Sequence, residues 1–142
     1  MNFKDIDHGN SFDFGKTAAQ YAKYRDIYPK ELYDRLYTLG VGHKGDAWLD
    51  IGTGTGVLPK NMAHYGAEIT GVDISEDQIA FARQQPEADK YKIHYIACSA
   101  EHTGLSCNSF DSITAAQCFW YFDREQIISE IKRIIKPGGV FV

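Results

Sequence analysis

The stretch Leu49-Asp50-Ile51-Gly52-Thr53-Gly54-Thr55-Gly56 decides the fold. An apolar, strand-like run passes directly into three glycines at alternate positions, and a helical pattern opens at Val57. Glycines there let the chain turn sharply and bring bare backbone against a ligand. The start of the next helix points free N–H groups into the same crevice. Outward from this point, apolar runs alternate with helical patterns. The spacing predicts strands over Ala47–Ile51, Glu68–Asp73, Ile93–Ala97, Phe110–Ala115 and Gly139–Val142, and helices over Val57–Tyr65, Ser75–Gln84 and Asp123–Ile135. Ser75 with Gln78 has capping-box spacing, and Asp123 with Gln126 resembles it. Ile127, Ile128, Ile131, Ile134 and Ile135 form one apolar stripe, and Pro137-Gly138-Gly139 turns the chain from that helix into the last strand. Strands alternating with helices imply an α/β fold, doubly wound, with a mostly parallel sheet and helices on both faces. Right-handed crossovers then gather the loops after the strands along one edge.

The first 45 residues have a different texture, rich in Tyr and Phe. Helices are expected from about Thr17 to Tyr24 and from Pro29, the latter with Leu32, Leu36 and Leu39 on one side. The domain reading is a helical lid segment over 1–45 and a core over 46–142.

The whole chain has 142 residues and a net charge of −4, which suits one domain and disfavours a phosphate-tracking nucleic-acid binder. No apolar run approaches the length needed to span a membrane, and the N-terminus shows no secretory pattern. Cys98, Cys107 and Cys118 lack metal-ligand spacing and read as thiols of a reducing cytoplasm, so the expected location is cytoplasmic. The histidines show no ligand spacing either, and no metal is expected.

Asp73 ends the second strand, where a carboxylate can accept hydrogen bonds from both hydroxyls of a ribose. Loop and acid together point to a nucleoside-containing ligand. A dinucleotide fingerprint requires G-x-G-x-x-G, and Val57 stands where its third glycine belongs. A P-loop is absent. Asp50 at the head of the loop disfavours an anionic ligand and suits one with an ammonium and a sulfonium, which S-adenosylmethionine (SAM) supplies.

These motifs resemble the class I SAM-dependent methyltransferases, in the broad group of ubiquinone/menaquinone-biosynthesis-like and trans-aconitate-like enzymes. The resemblance implies a Rossmann-like core and several site roles. Gly52, Thr53 and Gly54, with Asp50 and Gly56 in the same loop, would pass under the methionine part of SAM. Asp73 would hold the ribose and Ile74 would pack on the adenine. Ser99, Ala100 and Glu101 would border the adenine edge, and Gln117 would lie near the methionine moiety. The segment Tyr21 to Pro29 resembles a helical lid, from which Tyr21 or Arg25 would reach the methionine carboxylate.

The implied activity is methyl transfer to a small-molecule acceptor. It is an in-line displacement, in which orientation alone can supply roughly 7–11 kcal/mol. Phe119-Trp120-Tyr121-Phe122 follow strand four and fall at the catalytic edge, with two of the four expected to pack into the core. No general base is identified, and His102 reads as a solvated loop residue. The family continues beyond a fifth strand, so the chain reads as a fragment whose last strand would be an exposed edge prone to self-association. Rival readings are a nucleotide-binding module without catalysis and an NAD-dependent oxidoreductase.

Overall fold

In the computed structural model, residues 28–142 are described. Thr17–Tyr24, Tyr21 and Arg25 lie outside the described residues. Helix α1 (Lys30–Thr38) precedes β1 (Ala47–Ile51), α2 (Val57–Met62) with a following 3-10 turn (Ala63–Tyr65), and β2 (Glu68–Asp73). Then come α3 (Glu76–Gln84), α4 (Pro86–Lys90), β3 (His94–Ala97), a 3-10 turn (Ala100–His102) and β4 (Phe110–Thr114). A 3-10 turn (Phe119–Tyr121), α5 (Arg124–Ile134) and β5 (Ile135–Phe141) complete the chain.

All five strands are parallel, in the order β3-β2-β1-β4-β5. The order reverses between β1 and β4, and in such sheets a crevice opens at the strands' carboxyl ends at that point. The doubly wound architecture read from the alternating pattern is the one observed. Period-2 alternation distributes β1 between two cores. Trp48 joins Leu36, Met62 and Ile79 on one face; Leu49 and Ile51 join Ile113, Ile127 and Ile134 on the other.

Both predicted caps form: Ser75 Oγ accepts from the Gln78 N–H and Asp123 Oδ1 from the Gln126 N–H, at 3.3 and 3.0 Å. The apolar stripe of α5 is narrower than its spelling implies. Ile127, Ile131 and Ile134 are buried, whereas Ile128 is exposed and Ile135 has already entered β5. Leu39 likewise leaves the buried side of α1, because it caps the helix instead of continuing it.

The fifth strand differs most from expectation. Ile135 pairs with Phe110, pairing breaks, and it resumes at Val140 opposite Ser112. Lys136 precedes a proline and is pushed from helical geometry, so the strand begins before the Pro-Gly-Gly segment. Helix α4 was not foreseen, being five mostly charged or polar residues without an apolar period. Edge strand β3 is partly satisfied by Arg83, whose guanidinium donates twice to the Tyr95 carbonyl, at 3.1 and 2.6 Å. No described helix is long and apolar enough to cross a membrane.

Candidate functional site

A cleft of about 480 Å³ lies at the carboxyl ends of β1, β2 and β4. That volume is within the usual range for small-molecule sites. Its floor is the loop after β1. Gly52, Gly54 and Gly56 all take positive φ, at 63, 56 and 81°, where a side chain would be strained. Their missing Cβ atoms serve different neighbours. A Cβ on Gly52 would stand 2.6 Å from Cys118 Sγ, and one on Gly56 would collide with the Tyr95 phenol. Gly56 is therefore shaped for Tyr95 and does not line the cleft. That corrects its expected place beside a ligand.

Asp73, at the end of β2, holds the loop to the next helix. Its Oδ2 accepts from the Gly54 N–H and its Oδ1 from the Ser75 N–H, both at 2.9 Å. Each oxygen retains a further lone pair. Ile74, directly beside it on the cleft, is 78% exposed, which is unusual for a large aliphatic residue.

Asp50 lies deeper. Thr114 Oγ1 donates to its Oδ1 at 2.6 Å, and Trp48 Nε1 donates to Thr114 Oγ1 at 2.9 Å. Burial pushes the Asp50 carboxyl up to about 6. The Thr114 hydroxyl works against that shift, the Thr53 hydroxyl does so more weakly without a well-formed hydrogen bond, and the Asp73 charge adds to it.

On the opposite wall, Ala100 and Glu101 reach the cleft but Ser99 does not. Ser99 Oγ instead donates to Glu101 Oε2 at 2.6 Å, and the Asp123 N–H donates to Glu101 Oε1 at 3.0 Å. Burial opposes ionisation of Glu101, but these hydrogen bonds outweigh it and hold the carboxyl below its usual range. Ser99 and Glu101 thus tie this turn to the start of α5.

After β4, Gln117 lines the cleft with a left-handed φ of 57°. Cys118 seats in the notch above Gly52 and donates its S–H to the Ile51 carbonyl at 3.3 Å. Burial, aided by Asp50 and Asp73, pushes its thiol up to about 12, so it stays protonated. Phe119 and Phe122 pack against the second core, whereas Trp120 and Tyr121 are 64% and 58% exposed on the cleft. His102 meets Gln126 Oε1 at 2.8 Å, outside the cleft. Among the described residues, no three His, Cys, Asp or Glu side chains cluster to hold a metal.

Of the residues singled out in the sequence, Asp50, Gly52, Thr53, Gly54, Asp73, Ile74, Ala100, Glu101 and Gln117 converge on the cleft. Tyr28, from the segment expected to form a lid, also lines it, and sequence reasoning missed Leu58 and Gln78, which line it too. Gln78 carried a visible signal, since it sits in the capping-box position of the helix that follows Asp73. Leu58 carried none.

The strand order, the glycine loop and the acid at the end of β2 define a doubly wound α/β protein with a nucleoside-type crevice at its switch point. Comparison with known proteins narrows the class. Residues 49–142 match the family described as Methyltransferase domain. The chain is 30% identical over 114 residues to a ubiquinone biosynthesis O-methyltransferase of Haemophilus ducreyi, covering 76% of this chain and 48% of that protein. It is 31% identical over 130 residues to a malonyl-acyl-carrier-protein O-methyltransferase of Pectobacterium atrosepticum, covering 89% and 49%. Phosphoethanolamine N-methyltransferase 2 of Haemonchus contortus, solved with phosphomonomethylethanolamine and S-adenosylhomocysteine, superposes with a TM-score of 0.77 at 25% identity, over 99% of this chain and 34% of that one. The cyclase SpnF superposes with a TM-score of 0.70 at 29% identity, over 78% and 42%. The chain belongs to the class I SAM-dependent methyltransferase family. It spans about half the length of the curated relatives it matches. The family assignment sets aside the NAD-dependent oxidoreductase reading.

Proposed function

We propose that the protein binds SAM in this cleft and transfers its methyl group to a small-molecule acceptor. The observation that carries the reading is Asp73. Two backbone N–H groups fix its carboxylate, and each oxygen keeps a lone pair for a vicinal diol. The exposed Ile74 beside it offers an apolar shelf for an adenine ring. The loop at Gly52–Gly54 and the buried Asp50 supply a negative, backbone-lined end suited to a cationic amino-acid portion. The residues present therefore fit the cofactor. The Haemophilus ducreyi relative supports a ubiquinone-biosynthesis-like placement.

When bound, SAM would supply an electrophilic methyl on its sulfonium, open to in-line displacement by an acceptor lone pair with a neutral thioether as the leaving group. The chain's own residues bind, orient and exclude water. Asp73 and Ile74 fix the nucleoside end. Trp120 and Tyr121 bound the open side, and aromatic faces favour a nearby cation by about 0.5–2 kcal/mol. Cys118 is protonated and tied to Ile51, so it serves as a strut, not a nucleophile.

A second reading, ligand binding without methyl transfer, draws on the likeness to SpnF, a [4+2]-cyclase, which is another reaction on this fold. Calorimetry with SAM, S-adenosylhomocysteine and NAD, followed by turnover over an acceptor panel, separates the cases. Saturable binding of the first two with transfer supports the proposal. Binding without transfer supports the second reading. Absence of SAM binding rejects both.

A further inference from the structure

Asp50 is a buried carboxyl served by one strong donor. Thr114 lies opposite it in the β1–β4 register, and Trp48 shares its face of β1, two residues earlier. The Trp48 indole N–H donates to Thr114 Oγ1 at 2.9 Å, and Thr114 Oγ1 donates to Asp50 Oδ1 at 2.6 Å. An indole nitrogen can only donate, so the Thr114 oxygen accepts from Trp48 and turns its own proton to Asp50. Bonds in such a chain polarise one another, which makes the Thr114 hydroxyl a stronger and better-aimed donor than a free one. Asp50 lines the cleft, whereas Trp48 and Thr114 lie behind it, fully buried. The Asp50 Oδ2 receives no hydrogen bond from a described residue.

The described groups around this carboxyl favour its neutral form, apart from the two threonine hydroxyls. Burial disfavours the ion, and the Asp73 carboxylate at the end of β2 adds to that cost. Tyr95 on β3 and Cys118 after β4 are themselves pushed up, by burial first and by Asp50 next, and stay protonated. Helices α2 and α3 bring the uncharged Leu58 and Gln78 to the cleft, and Tyr28 ahead of α1 brings a phenol. Glu101, on the opposite wall, is engaged by Ser99 and Asp123. A ligand ammonium entering beside Asp50 therefore competes with a proton for the same carboxylate. An opposite charge within a few ångströms favours the ionised form. Binding then sends the proton from Asp50 to solvent and leaves the carboxylate facing the ammonium.

We propose that cofactor binding in this cleft is coupled to proton release from Asp50, and that Thr114, backed by Trp48, is the positioning residue that sets the pH at which the coupling operates. The inference rests on the SAM-binding reading and adds its regulation by pH. Thr114 and Trp48 touch no ligand and act through Asp50.

The test is calorimetric titration of the 142-residue chain with S-adenosylhomocysteine, which carries the same ammonium as SAM, between pH 5 and pH 8. Each pH is run in two buffers of different ionisation enthalpy, so that the heat reports the protons released. With the free carboxyl near 6, affinity should be about tenfold weaker at pH 5 than at pH 8. About half a proton should leave per ligand at pH 6, and almost none at pH 8. Asp50→Asn should flatten both profiles. Thr114→Val removes a hydrogen bond to the ionised form and should move the midpoint up by about one pH unit. Its binding should then be about fivefold weaker than the parent's at pH 6 and equal to it at pH 8. Trp48→Phe keeps an aromatic ring but loses the N–H, and should move the midpoint the same way by less. Thr114→Ser keeps the hydroxyl and should restore the parent profile. A merely structural role for Thr114 or Trp48 would weaken binding equally at every pH. Affinity independent of pH in the parent, a parent-like profile in Asp50→Asn, or an unmoved midpoint in Thr114→Val overturns the proposal. Should Thr114→Val fail to fold, the midpoint in Trp48→Phe decides alone. Absence of S-adenosylhomocysteine binding at pH 8 sinks the SAM-binding reading instead, and the coupling with it.

Discussion

Replacing Asp73 by Ala tests the centre of the site. In the folded chain each carboxylate oxygen accepts one backbone N–H at 2.9 Å, from Gly54 and from Ser75. Each oxygen keeps one further lone pair and Asp73 lines the cleft, which is what a ribose diol requires. Hydrogen bonds to a charged group contribute about 1.5–3 kcal/mol. Asp73 is only half-buried, so water competes for the same oxygens and that range is taken for the diol as a whole. It corresponds to about a tenfold to hundredfold loss of affinity for S-adenosylhomocysteine. The substitution also releases two N–H groups, but both lie near solvent, and the fold should survive with a modest fall in Tm. Circular dichroism checks that. Asp73→Asn keeps the shape but turns one acceptor into a donor, so its loss should fall between parent and alanine variant. The decisive measurement is a cycle in which the ligand loses its ribose hydroxyls as well. If Asp73 holds them, the deoxygenated ligand should bind parent and Asp73→Ala alike. A dissociation constant unchanged by Asp73→Ala, or an equal loss with both ligands, would refute the assignment.

Three further outcomes follow from the same geometry. Burial raises the Asp50 carboxyl to about 6 from 3.8, so the folded state binds more protons between those values, and the ionised group destabilises the fold by about 3 kcal/mol above pH 7. Asp50→Asn should therefore gain stability in urea at pH 7.5, up to about that figure, and the gain should shrink below about 1 kcal/mol at pH 4; a pH-independent difference would contradict it. The Cys118 thiol, pushed up to about 12, should react with iodoacetamide at pH 8 at least about a hundredfold more slowly than exposed Cys107, read by peptide mass spectrometry. Gly56→Ala should cost about 2–4 kcal/mol in denaturant, because a Cβ there meets the Tyr95 phenol at a residue already in the left-handed region, and Tyr95→Leu should restore part of it.

The sequence by itself determined the layered architecture and the location of the crevice. Apolar runs of strand length separated by capped helices leave few alternatives to a parallel doubly wound sheet, and the caps at Ser75 and Asp123 were visible as local spacing. Asp50, the glycines and Asp73 were legible because the loop and the acid sit at strand ends, where the register of one strand suffices to place them. What a residue faces across the sheet could not be read this way. That Gly56 accommodates Tyr95 depends on the loop after β1 meeting a β3 side chain across the intervening β2, with the two residues 39 positions apart in the chain. Ser99 turning toward Glu101, β5 starting before its Pro-Gly-Gly segment, and Phe119 and Phe122 turning inward while Trp120 and Tyr121 turn out were decided by tertiary packing. Each depends on which partner fills the space, and neighbours in space are not neighbours in the chain.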